Sequence, residues 1–368
     1  MKILFIAPDI DSGGAENVLF NIAKSNNKKD IVLISLTKTG FYGEKLKNDG
    51  YKIYSLNIKK NIFSIFKVFK LYFLINKFKP DIVHTWLYHG NLLGGIISKI
   101  AGVKKIYWSI HHDYEYSNLM MLIEMKILIL LSYLIPNKII FCSSSSSANH
   151  IKNGYKESIC HIIDNGICTS KFKPNEYFRE KLRKKLNLEY NCLLLGNISR
   201  YHPIKDHDNL LKALSILNIE KIKFKCILVG EGLTNKNKKL LNKIKKLKLQ
   251  DKVILYGKSF EINKIMASLD LHILCSKKEA FGMVLLEAMS SGVPCISTNV
   301  GEAKSIIGNE DWIIEASDSE SLALKIMDFV KEKIKIKDYL PLTRERILKN
   351  YSLKKMIASY RKLYLDIV

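Results

Sequence analysis

Short apolar runs alternate with helical patterns along the whole chain, and this alternation restricts the fold more than any other feature. In the first half the runs are Lys2–Pro8, Ile31–Thr37, Lys52–Leu56, Asp81–Leu87, Lys105–Ile110, Lys138–Cys142 and Ser158–Ile163. Helix-spaced segments such as Ala15–Ser25 and Ile62–Lys77 separate them. The second half repeats the scheme with Cys192–Ile198, Phe224–Val229, Val253–Tyr256, Leu269–Cys275, Val293–Thr298 and Trp312–Glu315. Apolar strands with helices between them argue for parallel sheets covered on both faces. Two such sets within 368 residues predict two doubly wound α/β domains. The charged stretch Phe172–Tyr190, with Pro174, reads as the linker. Helical spacing of Ile347, Tyr351, Met356 and Tyr360 makes Thr343–Val368 a closing helical segment. The apolar run Leu119–Ile135 contains Glu124 and Lys126, too short and too charged for a membrane span, and reads as a buried helix.

The charge is large but diffuse. The net +24 divides into +11 over residues 1–175 and +13 over residues 176–368. Only six of the 59 basic residues are Arg, whereas base and phosphate reading favours that planar fork. Nucleic acid is therefore not an expected partner, although a basic surface suits an anionic membrane or a phosphorylated substrate. The seven cysteines include no Cys-x-x-Cys pair and fall mostly in apolar runs, which fits a reducing cytoplasm. Met1–Pro8 lacks the length and cleavage site of a signal peptide.

Open parallel sheets bind ligands beyond the carboxyl ends of their strands, and that is where the motifs fall. Gly13-Gly14-Ala15-Glu16 follows the first strand and opens a helix, where free amides meet an anion. No acidic residue closes the second strand, which disfavours a dinucleotide dehydrogenase. Arg200 ends a strand and Lys205 follows in the next turn, a pair able to neutralise a diphosphate leaving group. Glu279 precedes a helix expected to open near Gly282, and Glu287 lies about one and a half turns inside it. An acid there would accept ribose hydroxyls, while Phe281, Gly282, Met283 and Val284 would offer backbone amides. Asp9-Ile10-Asp11 and Asp206-His207-Asp208 have the Asp-x-Asp form of a metal-bridged diphosphate site, but such short triplets are frequent, and Asp206 and Asp208 sit where helix-capping acids belong, which disfavours a metal. The partial Walker match Gly257-Lys258-Ser259 carries Lys252 where its first glycine belongs. No histidine or cysteine spacing builds a zinc site.

Taken in order, Gly-Gly-Ala-Glu, Arg200 with Lys205, Gly230-Glu231-Gly232 and the Glu279/Glu287 segment with Gly292-Val293-Pro294 resemble glycosyltransferase family 4 over nearly the whole chain. Asp164-Asn165-Gly166-Ile167 is similar to that family's turn before the linker, with Cys168 in place of an aspartate; Ala280 stands where glycine is common. The resemblance implies a GT-B fold: two Rossmann-like domains facing a central cleft, with the C-terminal helix crossing back to the first domain. The expected division is 1–180 for acceptor binding, 181–344 for the nucleotide sugar, and 345–368 for the returning helix. It implies retaining transfer from a nucleotide sugar, a UDP-sugar, with no metal or other cofactor. Arg200 and Lys205 would grip the diphosphate, Glu287 the ribose, and Glu279 would face the donor sugar. Gly13, Gly14, Phe281, Gly282, Met283 and Val284 would join them in holding the donor, with Val253–Gly257 beside the base. A histidine at the end of a first-domain strand is expected to face the donor sugar. His112, next to Asp113, is the first choice and His111 the second, while His84 and His89 would line the acceptor side.

The expected acceptor is a lipid-linked saccharide of a bacterial surface polysaccharide, such as lipopolysaccharide or capsule. The basic amphipathic run Ile62–Lys79, with Phe63, Phe66, Phe69 and Phe73, could rest on the membrane at its cytoplasmic face. Two alternatives stand beside this reading. One is a sugar-nucleotide epimerase of the same fold. The other is a basic, non-enzymatic protein that binds a membrane surface or nucleic acid.

Overall fold

A computed structural model describes residues 1–58, 64–113, 119–189, 191–331 and 333–366. The chain divides into two compact units, Met1–Asn165 with Lys354–Val368, and Gly166–Leu353.

The first unit runs β1 (Ile3–Ala7), α1 (Gly14–Lys24), β2 (Ile31–Ser35), α2 (Gly40–Asn48), β3 (Lys52–Ser55), α3 (Ser64–Phe78), β4 (Ile82–Trp86), α4 (Leu87–His89), α5 (Gly95–Ile100), β5 (Ile106–Ile110), α6 (Leu119–Ser132), β6 (Lys138–Phe141), α7 (Ser144–Lys152) and β7 (Cys160–Ile162). Its seven parallel strands lie in the order β3-β2-β1-β4-β5-β6-β7. Strands β1, β2, β4 and β5 are buried at every residue, as the continuous apolar runs require. Edge strand β3 alternates between exposed and half-buried positions. On one sheet face, Leu4, Ile6, Val32 and Ile34 pack with Leu71 and Ile75 of α3 and Ile97 of α5. Farther along the same face, Ile106, Trp108 and Ile139 pack with Met125 and Leu128 of α6, and Val103 touches both groups.

The second unit runs α8 (Glu176–Lys185), β8 (Leu193–Ile198), α9 (His207–Ile219), β9 (Phe224–Val229), α10 (Lys238–Lys246), β10 (Val253–Gly257), α11 (Ile262–Met266), β11 (Leu271–Leu274), α12 (Met283–Ser290), β12 (Cys295–Thr298), α13 (Ala303–Ile307), β13 (Ile313–Ile314), α14 (Ser319–Lys331) and α15 (Lys333–Asn350). Six parallel strands lie in the order β10-β9-β8-β11-β12-β13. Strand order reverses between β1 and β4 in one sheet and between β8 and β11 in the other, the switch points beside which such sheets bind ligands.

The final helix, α16 (Leu353–Tyr364), belongs almost wholly to the first unit and covers the sheet face opposite α3. There the Tyr364 hydroxyl meets His84 Nδ1 at 2.7 Å, and Tyr107 stacks on Tyr364. Asp366 pairs with both Lys105 and Lys138 at 2.6 Å.

Four expectations need correction. The units divide after Asn165 and after Leu353, instead of at 180 and 344. The supposed linker contains α8, whose Arg179 and Arg183 pair with buried Asp270 at 2.5 and 3.1 Å and so bind it to the second sheet. The closing segment is two helices, broken at Tyr351–Ser352, where Ile167 donates its N–H to the Tyr351 carbonyl. Finally, α6 is buried on one side only. Met125 and Leu128 face the sheet, while Leu119, Met120 and Leu130 are 71, 75 and 65% exposed. A helix laid on one sheet face has a single packed side, so a run apolar all round leaves half of itself in water. Among the described residues no helix is long and apolar enough to cross a membrane.

Candidate active site

In the second unit the loops after β8 and β11 meet across the switch point. The Lys205 ammonium lies 2.5 Å from Glu279 Oε1, and Ser276 donates its hydroxyl to the same oxygen at 2.7 Å. Both charged side chains are largely withdrawn from water, 19 and 15% exposed. Lys277 N–H donates to the Ile204 carbonyl at 2.8 Å and fixes the two loops by their backbones. Arg200 stands exposed at the end of β8 and makes no side-chain hydrogen bond or ion pair among the described residues. The Gly230–Gly232 turn braces it from behind, with Tyr201 N–H donating to the Glu231 carbonyl at 2.7 Å. Gly230 sits at φ +154, where a Cβ would come within 1.9 Å of the Ser199 carbonyl oxygen. The glycine is required by that approach.

The helix after Glu279 opens where the spacing predicts. Gly282, at φ +102, is the N-cap of α12 and supplies no side-chain cap. The amides of Met283 and Val284 thus lie at an uncapped helix start, a positive end able to receive phosphate or sugar oxygens. Phe281 is buried against Tyr351, and its carbonyl accepts from Glu302 N–H. These contacts brace the loop from Glu279 to Gly282. Glu287 is half-buried one and a half turns on, and its carboxylate has no hydrogen-bond partner among the described residues. Burial pushes its acid up to about 7, against a weaker downward pull from Lys171. A carboxylate in that condition gains from any ligand that brings hydroxyl donors to it.

In the first unit, Gly13 is the N-cap of α1 with nothing of its own to cap it. Glu16 folds back instead, so that a Cβ on Gly13 would lie 2.0 Å from its Oε2. Burial, with smaller contributions from Asp9 and Asp11, holds the Glu16 acid above its ordinary range. The Glu16 carboxylate therefore lies against Gly13 and accepts from its own N–H. Asp11 is engaged by Lys38 and by Phe41 N–H, while Asp206 accepts from Ser317 at 2.7 Å. Among the described residues no group of three or more His, Cys, Asp or Glu is gathered as a metal site.

The two adjacent histidines at the end of β5 differ sharply. His111 is buried and stacks on Trp86 at 4.9 Å, with neither ring nitrogen hydrogen-bonded. Burial, assisted by His112, brings its pKa down to about 3, so the ring is neutral. His112 is exposed; its carbonyl accepts from the Ser146 hydroxyl at 2.7 Å, while Asn149 donates to Asp113 at 2.8 Å. Ser143 caps α7, its hydroxyl accepting from Ser146 N–H. His84 does not line an acceptor surface: it is buried in the sheet, and its ring nitrogens meet Tyr364 and Ser109. His89 is exposed, 3.5 Å from Glu124. Ser276 escaped the sequence reading, although its Ser-x-x-Glu spacing to Glu279 was a usable signal.

Comparison with known proteins agrees with the two-unit fold. The family model for "Glycosyltransferase Family 4" matches residues 12–171, and that for "Glycosyl transferases group 1" matches residues 178–349. N-acetyl-alpha-D-glucosaminyl L-malate synthase of Bacillus anthracis is 28% identical over 197 residues, covering 52% of this chain and 51% of that protein. The UDP-Gal:alpha-D-GlcNAc-diphosphoundecaprenol alpha-1,3-galactosyltransferase of Escherichia coli is 24% identical over 310 residues, 81% of this chain and 78% of its own. The crystal structure of Anabaena HepE in complex with UDP superposes with a TM-score of 0.89 at 22% identity, covering 100% of both chains. With two parallel α/β units, each matched by its own family model, the chain belongs to glycosyltransferase family 4 and is a transferase of the GT-B fold.

Proposed function

We propose that this glycosyltransferase moves a sugar, with retention of configuration and without a metal, from a UDP-sugar to a lipid-linked saccharide. The product would be a growing bacterial surface polysaccharide, assembled at the inner face of the cytoplasmic membrane. The observation that carries the reading is the switch point of the second unit. There an exposed Arg200, the Lys205–Glu279 pair, the uncapped start of α12 and the partnerless Glu287 carboxylate lie on the loops after the neighbouring strands β8 and β11 and on the helix that follows. A departing diphosphate needs positive charge at the moment of bond breaking, and Arg200 and Lys205 supply it. Glu287 accepts the ribose hydroxyls, the amides of Met283 and Val284 serve phosphate and sugar oxygens, and Glu279 faces the donor sugar. Gly13 and Gly14 offer further amides. Between the two histidines the proposal takes His111, because a buried neutral ring with two unused nitrogens has one hydrogen bond to give and one to accept, while His112 is already in water. The UDP donor and the lipid-linked acceptor draw support from the names of the Escherichia coli relative and the HepE complex.

Incubation with UDP-, GDP- and ADP-sugars, with and without undecaprenyl-diphosphate-linked acceptors, tests the proposal. Acceptor-dependent transfer that survives EDTA is expected. Loss of transfer in chelator and rescue by Mn²⁺ refutes the metal-independent part. Interconversion of the donor sugar with no acceptor present identifies an epimerase. Salt-sensitive binding without turnover of any nucleotide sugar identifies a non-enzymatic binder.

A further inference from the structure

The first unit carries a surface that the transfer chemistry does not use. Helices α3, α5 and α6 cover one sheet face, and the outward sides of α3 and α6 are apolar. Phe66, Phe69 and Phe73 of α3 are 70, 58 and 67% exposed, and Met120, Ile127 and Leu130 of α6 are 75, 42 and 65% exposed. Among the described residues, eleven of the 22 exposed large hydrophobic side chains lie on these three helices or the turn after α6. Isolated exposed hydrophobics need no explanation, but a contiguous set marks an interaction site.

The charges on the same helices select the occupant. Lys70 and Lys77 of α3, Lys99 of α5 and Lys126 of α6 are all exposed. The only acid on the three helices is Glu124, which is half-buried and faces His89. At the foot of α3 and α5 lies a pocket of about 570 Å³, lined among others by Ile75, Lys79, Val103, Lys104 and Lys105. Its one acid, Asp81, accepts from Lys2 N–H at 2.7 Å, and Lys105 pairs with Asp366. Lys79 and Lys104 are exposed at its rim. Interfaces between protein copies are depleted of lysine. Aromatic and aliphatic side chains interleaved with lysines, whose long stems lie along apolar surface while the ammonium stays wet, suit a lipid headgroup region.

We infer that the α3–α5–α6 face docks on an anionic lipid bilayer, with Phe66, Phe69, Phe73 and the α6 side chains at the acyl boundary and the lysines on the headgroups. The inference rests, for its purpose, on the lipid-linked acceptor proposed above, and the experiment separates the two. Full-length protein is sedimented with phosphatidylcholine vesicles containing or lacking phosphatidylglycerol. Binding at least about tenfold stronger to the anionic vesicles, weakened by salt, is expected. Lys70→Glu/Lys77→Glu and, separately, Phe69→Ser/Phe73→Ser each lower that binding about tenfold or more while thermal midpoints hold. Neither pair touches the sheet, so turnover of a nucleotide sugar on a water-soluble acceptor stays at the wild-type level. Wild-type protein without preference for anionic vesicles, or both variants binding as wild type, overturns the inference. So does a wild-type dimer in solution that Phe69→Ser/Phe73→Ser disperses, because a second copy is then the occupant. Intact, variant-sensitive vesicle binding with no nucleotide-sugar turnover refutes the proposed function and leaves the docking face standing.

Discussion

Replacing Glu287 by glutamine keeps the side chain's shape and removes only its ability to ionise. Burial raises this acid from 4.5 to about 7 in the folded chain. The folded state therefore holds the proton more tightly than the unfolded one. The stabilisation this provides is complete below pH 4.5 and is lost as pH rises through 7. Relative to a neutral isostere, the carboxylate costs the fold under about 1 kcal/mol near pH 5 and up to about 3 kcal/mol near pH 8. The side chain retains some contact with water, which places the measured gain toward the lower part of that range. Glu287→Gln should accordingly raise the thermal midpoint of the unliganded protein at pH 8 and change it little at pH 5. Binding should move the other way. An ionised carboxylate receiving ribose hydroxyls is worth about 1.5–3 kcal/mol, so UDP affinity at pH 8 falls roughly tenfold to 150-fold in the variant. Wild-type affinity should also weaken as pH drops below 7, since the proton must leave first, and the variant should lose this slope. Scanning calorimetry without ligand and titration calorimetry with UDP at both pH values measure each quantity. A variant no more stable than wild type at pH 8 removes the desolvation argument. Unchanged UDP affinity with an unchanged pH slope removes Glu287 from the ribose site.

Other substitutions test separate links. Lys205→Ala leaves the Glu279 carboxylate with Ser276 alone, and should cost the second unit about 1–3 kcal/mol in urea unfolding and lower kcat, with Lys205→Arg recovering part of both. Gly230→Ala drives a Cβ into the Ser199 carbonyl and should destabilise by more than about 3 kcal/mol or prevent folding. Gly102→Ala, at φ +75 with nothing within 4 Å, should cost only about 1 kcal/mol; equal losses in thermal melts would discredit the steric account. Tyr364→Phe leaves His84 Nδ1 without its partner at nearly unchanged volume, and should destabilise the first unit by about 1–3 kcal/mol. Hydrogen exchange in β4 and β5 reports that loss.

Both sheets are legible in the sequence because a parallel strand buried on two faces has no polar side to interrupt its apolar run. That is why β1, β4 and β8 stand out, and why edge strand β3, with Lys52 and Tyr54 partly in water, is weaker. The opening of α12 at Gly282 is legible for a similarly local reason: an N-cap glycine and the helical spacing after it lie within a few residues. The Lys205–Glu279 pairing is not local, since it joins loops 74 positions apart, and neither residue alone reveals its partner. His111 and His112 differ by one position at a strand end, so only the fold decides which ring is stacked on Trp86. For α6 the composition reports avoidance of water without naming the neighbour. A sheet covers one side of it, and the other side waits for something else.

The return of α16 to the first unit separates the order of synthesis from the order of completion. Translation delivers β1 to β7 first, yet the surface around His84 and Tyr107 lacks its cover until residues 354–366 have left the ribosome. Residues 166–353 form the second unit as one uninterrupted stretch in between. At ordinary translation rates that stretch takes on the order of ten to forty seconds, longer than most small domains need to fold. The second unit is therefore able to finish while the first is still waiting for its last helix, with an aromatic sheet face open to chaperones or to a neighbouring nascent chain. A premature stop within residues 354–366 would then damage residues 1–165, which were made before the second unit.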